Sequence, residues 1–157
     1  MAKQKLVELL YELIKDSKRS DRELAKVLGV SQPTITRMRR TLEEQEYIRG
    51  YTVIPALEKL GYEILALSFV KTSLTSEFGE WISKNPKIVF AGSCESPYGG
   101  KAVLIASIHE NYTDFSKFTR EIEGLVGSNT SLIKSFPLSL NVDVIKHFSL
   151  KNLEQVR

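Results

Sequence analysis

Leu6, Leu9, Leu10, Leu13 and Ile14 recur at steps of one, three and four, which predicts an amphipathic helix over residues 3–16. The pattern breaks at Asp16–Lys18. Ser20 and Glu23 then have the spacing of a capping box, so a second helix begins there, turns Leu24, Ala25 and Leu28 inward and stops at Gly29. Ser31 is a good N-cap for a third helix, with Pro33 in a first turn that needs no backbone donor. Ile35, Met38 and Leu42 face inward along it, while Gln32, Thr34, Thr36, Arg37 and Arg40 occupy the opposite face. From Tyr47 to Pro55 the chain reads as extended with a turn at Gly50, as a short β arm or a two-stranded wing. Ala56–Leu60 reads as one helical turn closed by Gly61.

The period then shortens. Strands are predicted over 63–71, 88–93, 102–108 and 131–140, the last interrupted by Pro137. Helices are predicted over 77–84, with Phe78, Trp81 and Ile82 inward, and over 112–125, with Tyr112, Phe115, Phe118, Ile122 and Leu125 on one stripe. Ser96–Gly100 is a strong turn signal. The order is β-α-β-β-α-β, a ferredoxin-like arrangement. The whole chain is therefore an α+β protein, divided into a winged-type helix-turn-helix at 1–50, a connecting strand and hinge at 51–61, a ferredoxin-like domain at 62–142 and a tail at 143–157. Helices cover one face of such a sheet, yet these strands are apolar on both: Ile64, Ala66 and Val70 alternate with Leu65, Leu67 and Phe69. The uncovered face is expected to be buried by a second subunit about a two-fold axis, or by the tail.

Helix, tight turn, helix is a unit that places its second helix in the major groove of double-stranded DNA. Gln32, Thr34 and Thr36 are short polar groups suited to base edges. Arg37 and Arg40 suit phosphates, although either reaches a guanine. Arg22 and Lys26 on the preceding helix, and Arg49 on the arm, are further phosphate candidates. Arg39 and Arg49 are equally read as solvated surface, and a three-helix unit can also bind protein. Charge favours the DNA reading: residues 1–50 hold 11 Lys or Arg against 8 Asp or Glu, and residues 51–157 hold 11 against 11.

Other classes fare worse. Hydrophobic residues make up 42% and charged residues 26%, an ordinary globular balance rather than a disordered one. The apolar runs are too short to span a bilayer, and the first residues do not read as a signal peptide, so a cytoplasmic location is expected. Cys94 is the single cysteine, and His109 and His147 have no sequence neighbours that would complete a metal or nucleophilic site. No enzyme activity, metal or cofactor is expected. The rival reading is a small-molecule sensor or interaction protein with weak or architectural DNA binding.

The segments Arg19-Ser20-Asp21-Arg22-Glu23-Leu24-Ala25, Leu28-Gly29-Val30-Ser31-Gln32-Pro33-Thr34-Ile35, Arg37 and Arg40, Tyr47-Ile48-Arg49-Gly50-Tyr51-Thr52 and Leu60-Gly61 resemble the leucine-responsive regulatory protein/AsnC family of bacteria and archaea. The resemblance is close over about residues 6–61 and extends through the strand and helix order of the rest. It implies a sequence-specific transcription regulator that works as a homodimer, or as a tetramer or octamer, on pseudo-palindromic sites. It also implies a small-molecule effector, often an amino acid, held between second domains. The family's turn between the middle strands carries a Gly-x-x-Asp pattern tied to ligand response. Here Gly92 is present and Glu95 falls at the acid's place, which makes Gly92, Cys94, Glu95, Tyr98 and Gly99 the implied ligand set.

Overall fold

The computed structural model describes residues 2–72, 75–96, 99–127, 133–142 and 144–156. The chain divides into two compact units, Met1–Ile54 with Lys146–Arg157, and Pro55–Ile145. The tail, read in the sequence as a segment of its own or as a cover for the sheet, thus groups with the N-terminal helices.

In the first unit, helices α1 (Ala2–Lys15), α2 (Asp21–Leu28) and α3 (Gln32–Glu44) pack around Leu9, Leu13, Leu24, Ala25, Ile35 and Leu42. Each buried leucine or isoleucine contributes about 1.5–3 kcal/mol relative to exposure. The capping box forms as its spacing predicts. Ser20 Oγ accepts from the Glu23 N–H at 3.3 Å, and Glu23 accepts from the Ser20 N–H at 2.8 Å. Gly29 takes the left-handed conformation, φ 61°, that ends α2 and starts the turn.

Past α3, Glu46 is left-handed as well, at φ 56°, which a side chain with a Cβ resists. Hydrogen bonds hold it there: Glu46 N–H donates to the Glu43 carbonyl at 3.0 Å and Ile48 N–H to the Leu42 carbonyl at 3.1 Å. The segment that follows, 48–56, takes no regular secondary structure, so neither the β arm nor the two-stranded wing expected from the sequence forms among the described residues. The tail lies alongside it. Leu13, Ile14, Tyr51, Phe148, Leu150 and Leu153 are among the residues that line an open groove of about 590 Å³, and Lys15 pairs with Glu154 at 2.7 Å.

The second unit opens with a 3-10 turn, Leu57–Leu60, and continues as β1 (Ile64–Val70), α4 (Ser76–Lys84), β2 (Ile88–Glu95), β3 (Lys101–His109), α5 (Tyr112–Val126) and β4 (Ile133–Ser139). The four strands form an antiparallel sheet in the order β2-β3-β1-β4. Val70, Val103, Ile105 and Ile133 meet Phe78, Phe118 and Ile122 from α4 and α5. Two expectations need correction. Tyr112 is 65% exposed, because it is the first residue of α5 and only edges against Phe115, with centroids 5.7 Å apart. Pro137 does not interrupt its strand: among the described residues β4 pairs with β1 alone, and an edge strand tolerates a residue whose missing N–H can face outward. The start of that strand, Ser131 and Leu132, lies outside the described residues, as does Asn129.

Under the helices the strands carry a polar strip. Ser68 Oγ and Ser135 Oγ are 2.8 Å apart, and Ser107 Oγ lies 2.8 Å from His109 Nε2. His109 is fully buried between the rings of Phe115 and Phe118. Its Nδ1 has no hydrogen-bond partner among the described residues and lies 3.4 Å from Asp114 Oδ2, while Asp114 also pairs with Lys87. Burial pushes the imidazole below its ordinary value of 6.5, against the pull of Asp114.

Two outcomes are expected. Glu46→Gly should stabilise the chain by about 0.5–1 kcal/mol in urea or thermal unfolding, since glycine adopts positive φ without strain. With its folded pKa depressed, neutral His109 contributes its stability in full above pH 6.5, and the contribution is lost as pH falls towards the folded value. Stability should therefore fall as pH drops below 6.5, and His109→Gln should flatten that limb. An unchanged limb in the variant would assign the loss elsewhere. Asp114, also depressed (burial raises it, and the Lys87 pairing more than offsets that), acts only below its ordinary 3.8.

Candidate nucleic-acid interface

Ile35 and Leu42 are buried on the inner side of α3, with Met38 packed partly between them. Their burial fixes which side of the helix faces outward. On that outer side Gln32, Pro33, Thr36, Arg37 and Arg40 surround a shallow, open depression of about 550 Å³. Side chains near the N-terminus of such a helix are the ones that meet base edges.

The polar groups differ in their freedom. Gln32 and Arg37 are exposed and have no side-chain partner among the described residues, and the same holds for Arg22, Lys26 and Arg49. Arg40 Nε donates to Glu44 Oε1 at 2.7 Å, but both side chains are largely exposed. Solvent screens such a surface pair strongly, so a phosphate readily displaces the carboxylate. Ser31 sits at the N-cap position without capping through its side chain. Its hydroxyl lies 2.8 Å from Thr34 Oγ1, so neither hydroxyl is uncommitted.

Of these groups the Thr36 hydroxyl is engaged across the helix pair. It donates to Asp21 Oδ2 at 2.7 Å, and the same carboxylate accepts through Oδ1 from Arg39 Nη2 at 2.7 Å and Nε at 3.2 Å. Arg39 is therefore not simply solvated surface. Its Nη1 reaches Tyr51 Oη at 3.4 Å, and Tyr51 donates to Glu43 Oε1 at 2.9 Å. Burial raises the Asp21 carboxyl, but the Thr36 and Arg39 hydrogen bonds hold it below its ordinary value. Sequence spacing hides this network, since Asp21 and Arg39 stand on different helices. An acidic residue at the first position of α2 is already explained by the helix dipole.

The residues implied for a ligand lie in the other unit. Gly92 and Cys94 share one face of β2, Glu95 ends that strand opposite Lys101, and Gly99 sits in the following turn at φ 85°. Ser96 N–H closes this turn onto the Gly100 carbonyl at 2.8 Å. Tyr98 lies outside the described residues. Among the described residues no three His, Cys, Asp or Glu side chains gather as metal ligands, and no helix is long and apolar enough to cross a membrane.

A winged helix-turn-helix DNA-binding family matches residues 4–49. The HTH-type transcriptional regulator FL11 of Pyrococcus furiosus is 30% identical over 131 residues, 82% of this chain and 85% of its own length. An AsnC family transcriptional regulator from Agrobacterium tumefaciens has the same fold, with a TM-score of 0.74 at 18% identity over 95% of this chain and 97% of that one. The chain belongs to the Lrp/AsnC family of transcription regulators. It is a DNA-binding regulator with an α+β fold, and its relatives are transcription regulators. A transcriptional regulator from Neisseria meningitidis, solved as a complex with L-Met, is a further structural neighbour of this family member, with a TM-score of 0.70 at 18% identity over 95% of this chain and 97% of that one.

Arg37 and Gln32 separate affinity from reading. Arg37→Ala should weaken binding to all sequences and lower the slope of log K against log salt by about 0.9 per lost phosphate contact. Gln32→Ala should instead change the preferred bases. Filter or fluorescence binding across a salt series on two sequences distinguishes them.

Proposed function

We propose that this regulator binds double-stranded DNA as a homodimer, inserting α3 of each subunit into successive major grooves of a two-fold-symmetric site. The observation that carries this reading is the uncommitted state of Gln32 and Arg37 on the outer side of a firmly seated helix. Gln32 and Thr34 read base edges, with Thr36 beside them. Arg37, Arg40, Arg22, Lys26 and Arg49 hold phosphates and set register.

The sheet supports pairing. Leu65, Leu67 and Phe69 share a face with Leu104, Ala106 and Ile108 by register, and Phe90, Phe136 and Leu138 extend it. Phe90 is 60% exposed, Phe136 48% and Leu138 50% in the single chain. An apolar surface of that extent on one side of a sheet is what a second copy would cover. A small-molecule effector, for which the L-Met complex of the Neisseria neighbour is a precedent, would bind near Gly92, Cys94, Glu95, Tyr98 and Gly99 between paired second units. A cytoplasmic location goes with this reading.

DNA selection with purified protein at stated salt tests the reading. It should enrich a symmetric motif whose half-sites are about 34 Å apart. Phe136→Asp should dissociate the dimer in sedimentation analysis and weaken binding to the full motif far more than to a half-site. Salt-sensitive binding with no enriched motif would point instead to an architectural role.

A further inference from the structure

Asp21 stands at the N-terminus of α2, and its two carboxylate oxygens are divided between two residues of α3. Oδ2 accepts from the Thr36 hydroxyl and Oδ1 from the Arg39 guanidinium. Thr36 belongs to the depression that also exposes Gln32, Arg37 and Arg40. Arg39 is one turn further along, and its side chain is 21% exposed, equal to that of Asp21. A hydroxyl has one proton to give, and the proton of Thr36 is already given. What Thr36 retains for a base is a methyl group and a lone pair. The oxygen itself also sits 3.3 Å from the Gln32 carbonyl of the preceding turn. Arg39 is tethered at three of its nitrogens, Nε, Nη1 and Nη2, to Asp21 and Tyr51.

We propose that Asp21 is a specificity-determining positioning residue for DNA recognition, one that lies outside the recognition helix. It removes a donor and a cation from the DNA-facing surface, so that Thr36 presents its methyl group to a thymine methyl and Arg39 is withheld from phosphate. The chain gives up non-specific affinity and gains discrimination, since a free guanidinium strengthens binding to every sequence alike. The carboxylate is itself a repulsive element towards phosphate, and Arg39 neutralises it only while the two are paired. The inference rests on the reading of α3 as the base-contacting helix.

The test is DNA selection and salt-dependent binding with four variants of the full chain. Asp21→Ala should tighten binding to unrelated DNA, steepen the salt slope by about 0.9 for each bound chain as Arg39 is released, and broaden the motif at one position in each half-site. Thr36→Val, which keeps the shape and removes the hydroxyl, should sharpen the thymine preference at that position. Thr36→Ser, which keeps the hydroxyl and removes the methyl, should erase it. The inference is overturned if Asp21→Ala folds and leaves both slope and motif as they are, or if Ser retains the preference and Val loses it. Should Asp21→Ala fail to fold, the Thr36 pair decides alone. Gln32→Ala separates the two levels: a motif indifferent to Gln32 and to Thr36 alike removes the α3 reading itself, whereas a motif that responds to Gln32 but shows the reverse Thr36 order removes only the role of Asp21.

Discussion

The burial of Ile35 and Leu42 against Leu9, Leu13 and Leu24 is the constraint from which the DNA-facing surface follows. A helix rotated by a quarter turn about its own axis would bury Thr36 and Arg39 and expose isoleucine. The aliphatic contacts make that rotation cost several kcal/mol, on the order of two buried side chains. Everything polar on α3 is then oriented by default. Gln32, Arg37 and Arg40 point outward because the opposite side is taken, and Thr36 and Arg39 lie on the flank that α2 can reach.

That division explains which features could be read from the chain alone. The inward stripes, the capping box at Ser20 and Glu23, the left-handed stop at Gly29 and the strand order all arise from interactions between near neighbours, and local spacing records them. The direction in which α3 faces followed from the same stripes. The commitments of its polar groups did not. Thr36 and Asp21 are 15 positions apart, and Arg39 and Asp21 are 18. Nothing in the spacing of either helix reports that a carboxylate on one stands within hydrogen-bond reach of the other. Glu46 escaped notice for a different reason. A left-handed residue is ordinarily announced by glycine or asparagine, and here backbone hydrogen bonds impose the conformation on a glutamate.

The second unit poses a related problem with the polarity reversed. Its helices cover one side of the sheet, where Phe78, Phe118 and Ile122 close over Val70, Val103 and Ile105. Alternation along β1 and β3 showed that the other side is apolar too. Alternation could not reveal the polar strip inside the covered side. His109, Ser107 and Ser68 occupy inward positions that would ordinarily hold aliphatic residues, and Asp114 reaches His109 from the first turn of α5. A buried imidazole is tolerated there because it stays neutral, shares a hydrogen bond with Ser107 and meets two phenylalanine rings at steep angles.

The grouping of Lys146–Arg157 with the N-terminal helices makes the first unit discontinuous in the chain, with the whole of the second unit inserted between its pieces. Synthesis proceeds from the N-terminus, and units tend to fold as they emerge. The three helices can form as soon as they leave the ribosome, but Glu154, the second partner of Lys15 after Glu12, and the aromatic side of the groove at Phe148 arrive only after the entire sheet has been made. The arm from Tyr47 to Ile54 is therefore finished last, although it is translated early. A nascent chain would pass through a stage in which its helix-turn-helix is folded and its connecting segment still lacks one wall.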